Sequence, residues 1–166
     1  MEHTDLLDRL ADQWSRERPD LDPSGMAIVG RLVMLGETCR RRAAEAIAPY
    51  QIGYTDLDVL ATLRRHGAPY TLRPADLLKA VLIQSGSLTA CLDRLAGASL
   101  VERVPTPNDR RSRSVKLTEK GRDLIDRAIE ARFNEANRFV SELSTTDRDQ
   151  LAGLLRTLMQ RTNTAE

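Results

Sequence analysis

The chain has 166 residues, enough for one core of ordinary size; 41% of them are hydrophobic, 30% are charged and 4% are aromatic. This composition excludes a disordered chain and leaves no repeated stacking surface for single-stranded nucleic acid, and the net charge of +1 argues against indiscriminate nucleic-acid binding. No apolar run approaches the roughly 18 residues of a membrane span, and the acidic start differs from a secretory signal. We therefore expect a cytoplasmic protein that does not associate with a membrane.

The first two predicted elements are amphipathic helices. Residues 4–17 form the first helix, because apolar side chains recur there at helical spacing: Leu7, Leu10, Ala11 and Trp14. The helix is expected to end before Pro19, since the residue preceding a proline disfavours the helical conformation. Pro23 then permits a second helix, whose apolar face begins at Ile28 and continues to about Pro49.

Two shorter helices are predicted in the middle of the chain. Thr55 and Asp58 have the spacing of a capping box at the start of a helix that ends near Gly67. A short extended link, residues 68–72, then leads to a helix of about two turns, in which Pro74 takes the first position and Val81 the last.

A further helix and an antiparallel ribbon follow. Ser85 begins the helix, whose apolar side faces a core and is formed by Leu88, Cys91, Leu92 and Leu95. Residues 100–104 and 113–117 each alternate apolar with polar side chains around the turn-rich segment PTPNDRR. This alternation predicts two strands, so the fold class is mainly α with a small β-ribbon.

The C-terminal part of the chain predicts two more helices. Thr118 is expected to cap the first, whose apolar side chains form a seam suited to another helix: Ile129, Phe133, Ala136, Val140 and Leu143. The last helix follows Ser144, and its apolar face is too wide for a solitary terminal helix. These two faces together predict a homodimer, although the first seam would also suit packing within one chain.

Two short helices followed by an arginine-rich ribbon favour a winged helix-turn-helix that binds double-stranded DNA. Residues 101–122 carry seven basic and three acidic side chains. Small and hydroxyl side chains of the helix that begins at Ser85 suit a close approach to bases, and Arg94 suits phosphate or guanine. The expected DNA-binding residues are Ser85, Ser87, Thr89, Ala90 and Arg94 in this helix, and Asp109, Arg110, Arg111 and Arg113 in the ribbon.

The segment LDRLAGASLVERVPTPNDRRSRSVKLTEKG, which begins at Leu92, resembles the MarR family of bacterial regulators. The resemblance covers nearly the whole chain and implies one domain over residues 1–166, a homodimer and a ligand cleft between the DNA-binding lobe and the dimer helices. Ser99 departs from the family, which usually has glycine there. The implied parts are an N-terminal extension helix at residues 1–18, dimerisation helices at 23–49 and 118–162, and a winged helix-turn-helix lobe at 54–117.

A narrower resemblance is to the urate-responsive branch of this family. The segments WSRERPDLD and DLDVLATLRR are similar to those of the branch, in which Trp, Asp and two Arg form an anion site. The matching positions are Trp14, Asp58, Cys91 and Arg103. Because Cys91 stands where the branch has arginine, the resemblance implies a small anionic or aromatic effector other than urate.

Other interpretations of these residues remain open. Trp14 also suits a core anchor, Asp58 a helix cap and Arg103 a solvated strand position. Cys91 suits core packing or, as an alternative signal, a thiol that responds to oxidation. A second alternative is a winged-helix protein-interaction module that does not bind DNA.

An enzyme is the rival from another class, and the sequence gives it little support. There is no GxSxG, HExxH, glycine-rich phosphate loop or cysteine–histidine pair. Cys39 and Cys91 are far apart, and His3 and His66 stand alone, so the spacing of metal ligands is not met. We therefore expect no catalytic residue, no metal site and no cofactor.

Overall fold

The computed structural model describes residues 4–81, 85–106 and 109–163, except for the side chains of residues 85–87, 109–112 and 162–163. Contacts divide the chain into two units, Met1–Arg42 and Ala43–Glu166. The helices are α1 (Leu6–Glu17), α2 (Ser24–Ile47), a 3₁₀ turn (Ala48–Tyr50), α3 (Tyr54–Arg65), α4 (Pro74–Ala80), α5 (Ser85–Gly97), α6 (Glu119–Phe139) and α7 (Thr145–Asn163). The strands are β1 (Thr71–Leu72), β2 (Val101–Thr106) and β3 (Asp109–Leu117).

In the first unit, α1 is capped and held by charged side chains. The Asp5 carboxylate accepts hydrogen bonds from the backbone amides of Leu7 and Asp8, at 2.8 and 3.1 Å, so it satisfies two amides that lack partners within the helix. Arg31 of α2 donates to Asp5 at 3.0 Å and to Asp8 at 2.6 Å. The helix predicted at residues 4–17 is thus confirmed, with Asp5 as its cap.

The second unit has a core formed by helices α3 to α6 and the sheet. Its centre is formed by aliphatic side chains that are at most 1% exposed: Leu60, Leu63, Leu77, Leu95 and Ile125. The short helix predicted after Pro74 and the helix predicted from Ser85 are both present, as α4 and α5. Burial of one face of each helix against this core supplies most of the stability of elements this short.

The sheet has three strands in the order β1–β3–β2, where the sequence predicted a ribbon of two. The additional strand is β1, in which Thr71 pairs with Lys116 and Leu72 with Val115. It was missed because two residues are too few for alternation to be visible, and its partners lie more than 40 residues away. The turn-rich segment was predicted at residues 105–111, but residues 105–106 belong to β2 and residues 109–111 to β3, while residues 107–108 lie outside the described residues.

The start of α3 differs from the prediction. The N-cap is Gly53, whose amide donates to the Asp56 carboxylate at 3.0 Å, and Thr55 and Asp58 both lie inside the helix. The predicted capping box at Thr55 and Asp58 is therefore wrong. The hydrogen bond from the Gly53 amide to a carboxylate three residues later supplies one half of a capping box, two residues before the predicted position.

The end of α6 also differs from the prediction. The helix ends at Phe139, so Val140 and Leu143 do not continue the predicted seam. The Arg148 side chain donates to the backbone oxygens of Leu143, at 3.0 Å, and Ser141, at 3.3 Å. These hydrogen bonds stabilise a turn, and apolar spacing alone does not reveal a side chain that arrives from the next helix.

Ser99, two residues after the end of α5, adopts the left-handed conformation, with φ of 59°. The amide of Leu100 donates to the Leu95 oxygen and that of Ser99 to the Ala96 oxygen, both at 2.9 Å, which is the hydrogen-bond pattern of a Schellman motif. Glycine adopts this conformation without the steric cost that a Cβ imposes. This geometry explains why glycine suits the position better than serine.

We therefore expect Ser99→Gly to raise the free energy of unfolding by about 1 kcal/mol, because it removes that steric cost. The Ser99 oxygen that accepts from Thr118 belongs to the backbone, so the substitution preserves this hydrogen bond. Urea unfolding followed by circular dichroism measures the change, with Ala98→Gly as the control that should not stabilise. A Ser99→Gly protein no more stable than the wild type would contradict the assigned strain.

Thr118 joins three elements at the start of α6. Its hydroxyl oxygen accepts from the Gly121 amide at 3.0 Å, which confirms the predicted cap. The same hydroxyl lies 2.8 Å from the Ser99 oxygen and 3.1 Å from the Leu100 oxygen, just after the end of α5.

Within the part of the chain that the structure describes, no helix is long and apolar enough to cross a membrane.

Candidate nucleic-acid interface

The helix predicted to contact DNA, named here the recognition helix, is α5, and its two faces are clearly different. Leu88, Leu92 and Leu95 are buried in the core, whereas Thr89 and Ala90 are exposed. A small side chain and a hydroxyl on the exposed face permit close approach to a DNA groove and hydrogen bonding to it. The side chains of Ser85 and Ser87, predicted for the same role, lie outside the described residues.

Arg94 is exposed over more than half of its side chain, but its guanidinium is bonded to the start of α3. Its Nη2 donates to Asp56 Oδ1 at 2.6 Å and its Nε lies 3.4 Å from Asp56 Oδ2. The sequence predicted a DNA contact for Arg94 and gave no role to Asp56. The signal that could have revealed Asp56 is Gly53, three residues earlier, which is the spacing at which a carboxylate caps a helix.

The Asp56 carboxylate is buried, with 5% of the residue exposed. Burial raises the pKa of Asp56, but hydrogen bonds from Arg94, the Gly53 amide and Cys91 outweigh it and hold the pKa below the usual 3.8. Asp56 is therefore ionised at neutral pH. A carboxylate in this state is a strong acceptor for the donors of α5.

Cys91 lies on the buried side of α5 and is 1% exposed. Its thiol donates to Asp56 Oδ1 at 3.2 Å. Burial, together with this hydrogen bond and the charges of Asp56 and Asp58, raises the pKa of the Cys91 thiol to about 12. The thiolate that reacts with oxidants is therefore scarce, so these features favour core packing and argue against the thiol-responsive alternative.

The wing is formed by the paired strands β2 and β3, residues 101–106 and 109–117, which follow the recognition helix in sequence. Pro105 pairs with Arg113, whose side chain is exposed, and the register shifts by a bulge between Pro105 and Thr106. A buried hydrogen bond of 2.9 Å between the Thr106 and Ser114 hydroxyls holds the strands together there. The backbone of Asp109, Arg110 and Arg111 forms the start of β3, and their side chains lie outside the described residues.

Of the residues predicted to bind an effector, Arg103 and Asp58, like Cys91, have charged or polar partners within the chain. Arg103 of β2 donates to Asp93 of α5 at 2.7 Å, which ties the wing to the recognition helix. Asp58 is 8% exposed, and its Oδ1 lies 4.0 Å from Arg65 Nη1. Trp14 belongs to the first unit, where 47% of its surface is exposed, so it is not a fully buried core anchor in this chain.

Comparison with known proteins places this arrangement in a family. Residues 52–112 match the model of the MarR family. The chain is 36% identical over 146 residues to the HTH-type transcriptional regulator PecS of Dickeya dadantii, a match that covers 88% of each chain.

Solved structures give the same result. The fold matches a mutant MarR from Escherichia coli complexed with operator DNA, with a TM-score of 0.69, 26% identity and coverage of 93% of this chain and 99% of the other. It also matches the organohalide-sensing regulator RdhR in its 2,4-dichlorophenol-bound form, with a TM-score of 0.74, 16% identity and coverage of 86% and 82%. At that identity the second likeness concerns the fold alone. The chain therefore belongs to the MarR family of DNA-binding transcription regulators, which are not enzymes.

Proposed function

We propose that the protein is a repressor that binds a pseudo-palindromic operator as a homodimer and releases it when a small anionic or aromatic effector binds. The observation that carries this proposal is the exposed face of α5 at Thr89 and Ala90, followed directly by a wing that exposes Arg113. A helix of this kind fits the major groove, and a basic hairpin fits the neighbouring phosphates. The half-sites would lie about one helical turn, roughly 10 bp, apart.

Exposed apolar side chains support the homodimer. In the first unit, α2 exposes between 39% and 59% of six neighbouring apolar residues: Met26, Ile28, Val29, Leu32, Val33 and Leu35. In the second unit, α7 exposes Leu154 by 67% and Leu158 by 45%. Faces of this extent are uncommon on a monomer, and a second copy of the chain would bury them.

The effector would act on the tie between the wing and the recognition helix. Arg103 is a cation that an anionic ligand would attract, and it is now paired with Asp93 of α5. A ligand that takes Arg103 would release Asp93 and change the position of α5 relative to β2. Trp14, Asp58 and Arg103 match positions of the anion site in the urate-responsive branch, which supports an anionic effector. Cys91 stands where that branch has arginine, which argues against urate itself.

The proposal predicts that Arg111→Ala and Arg103→Ala have different effects. Arg111→Ala should weaken binding to all operator variants and lower the salt slope by about 0.9, because one phosphate contact is lost. Arg103→Ala should chiefly alter the response to the effector.

A fluorescence titration tests this with DNA from upstream of the gene, at two salt concentrations and with candidate aromatic and carboxylic acids. Identical phenotypes of the two variants would contradict the division of roles. A wild-type protein that binds no DNA at low salt would instead favour the protein-interaction module.

A further inference from the structure

We propose that Asp56 is a positioning residue that fixes the recognition helix on the core, and that Arg94 serves this tie instead of neutralising a DNA phosphate. Asp56 lies in the first turn of α3, whereas Arg94 and Cys91 lie on α5. The inference rests on the proposed operator binding for its DNA measurements. It also makes a prediction about α5 in the absence of DNA.

One buried carboxylate receives donors from two elements. The Gly53 amide donates to Asp56 at 3.0 Å, the Cys91 thiol at 3.2 Å and Arg94 Nη2 at 2.6 Å. The first of these hydrogen bonds fixes the carboxylate against its own helix, and the other two attach it to α5. The position of α5 is thereby coupled to the N-terminus of α3.

The two attachment points on α5 lie three residues apart, which places them on one side of the helix, almost one turn from each other. Two anchors at this spacing restrain both rotation about the helix axis and sliding along it. Thr89 and Ala90, which precede Cys91, project elsewhere around the helix and are exposed. Their position against bases therefore depends on an attachment that does not itself touch DNA.

Charge neutralisation explains why Arg94 would add little to phosphate attraction. Asp56 is ionised and nine-tenths or more buried, so the pair is neutral while it holds together. Binding to a phosphate would require Arg94 to leave a buried carboxylate without its cation, which is costly. Arg113 has no such restriction from Asp56 and faces outward from the wing, so it is a suitable comparison.

The test compares Asp56→Asn, Arg94→Gln and the double variant with Arg113→Gln as the matched control. Affinities for the operator and for a random duplex of equal length are measured from 50 to about 200 mM salt, the range in which phosphate contacts are most visible. We expect Asp56→Asn and Arg94→Gln each to lower operator affinity about tenfold, with unchanged random-duplex affinity and salt slope. The double variant should be no worse than either single variant, because both remove one tie.

The control should behave differently: Arg113→Gln should weaken binding to both duplexes and lower the salt slope by about 0.9. An Arg94→Gln protein that reproduces this behaviour would overturn the proposal, since Arg94 would then be a phosphate contact. Arg94 is largely exposed, so its variants should fold even if Asp56→Asn does not.

Hydrogen exchange of the DNA-free protein separates this inference from the proposed function. Asp56→Asn and Arg94→Gln should speed amide exchange in α5, while Arg113→Gln should leave it unchanged. Exchange in α5 that matches the wild type in both variants would overturn the tie. A wild-type protein without operator preference would count against the proposed function, and the exchange measurement would still decide on the tie.

Discussion

Gly121→Ala is expected to lower the free energy of unfolding by about 3 kcal/mol, the upper range for overpacking a well-filled site. Gly121 is buried in the first turn of α6, and a Cβ there would overlap the Leu100 backbone oxygen. It would also lie 2.9 Å from the Leu100 carbonyl carbon and 3.0 Å from Leu117 Cδ1. The Leu100 oxygen accepts from the Thr118 amide at 3.1 Å, so moving away would break hydrogen bonds.

Urea unfolding measures this effect, and Gly97→Ala is the matched control. Gly97 ends α5 in the same unit, and a Cβ at this position meets no atom within 4 Å. Its substitution should be neutral or stabilising, since alanine has the higher helix propensity. A Gly121→Ala protein within about 1 kcal/mol of the wild type would show that the contact between α6 and Leu100 yields readily.

Leu154→Glu is expected to convert the proposed dimer to a monomer and to lower operator affinity at least about 100-fold. Leu154 is 67% exposed on α7, and a buried carboxylate would disfavour an apolar interface with a second copy. Affinity would fall because a monomer engages a single half-site, without the high effective concentration that a linked second site provides.

Sedimentation analysis and operator titration together measure these two effects. Arg156→Gln is the control, because it lies elsewhere around the same exposed helix and changes the net charge by the same amount. It should remain a dimer with nearly unchanged affinity. Leu154→Glu that sediments as a dimer with wild-type affinity would show that this face of α7 does not form the interface.

Local patterns predicted the elements whose signals lie within one turn or one strand. Pro74 at the start of α4 and Thr118 at the cap of α6 are examples, because each acts on backbone groups within a few residues. β1 and the end of α6 were not predicted. Their boundaries depend on partners that are distant in sequence or that belong to the following helix.

In the candidate site too, the sequence predicted useful residue types but not the partners that those residues contact. The sequence identified Arg94 and Arg103 as useful cations, but it did not show that Asp56 and Asp93 hold them. Each pairing requires the fold to bring α5 against another element, and charge alone does not choose among 24 acidic residues. Asp56 in particular was obscured by Asp58, which offered a similar cap two residues later.

The hydrogen bonds of Thr118 fix one end of the long helix α6. α6 has 21 residues, so it is about 31 Å long at 1.5 Å per residue. Its first turn is fastened through Thr118 to the backbone of Ser99 and Leu100, where the recognition helix ends and the wing begins. If α6 tilts by about 5° about this fixed first turn, its far end moves by roughly 3 Å. In the proposed dimer, small angular changes where α6 meets the second copy would thus alter the separation of the two recognition helices without any contact near the DNA.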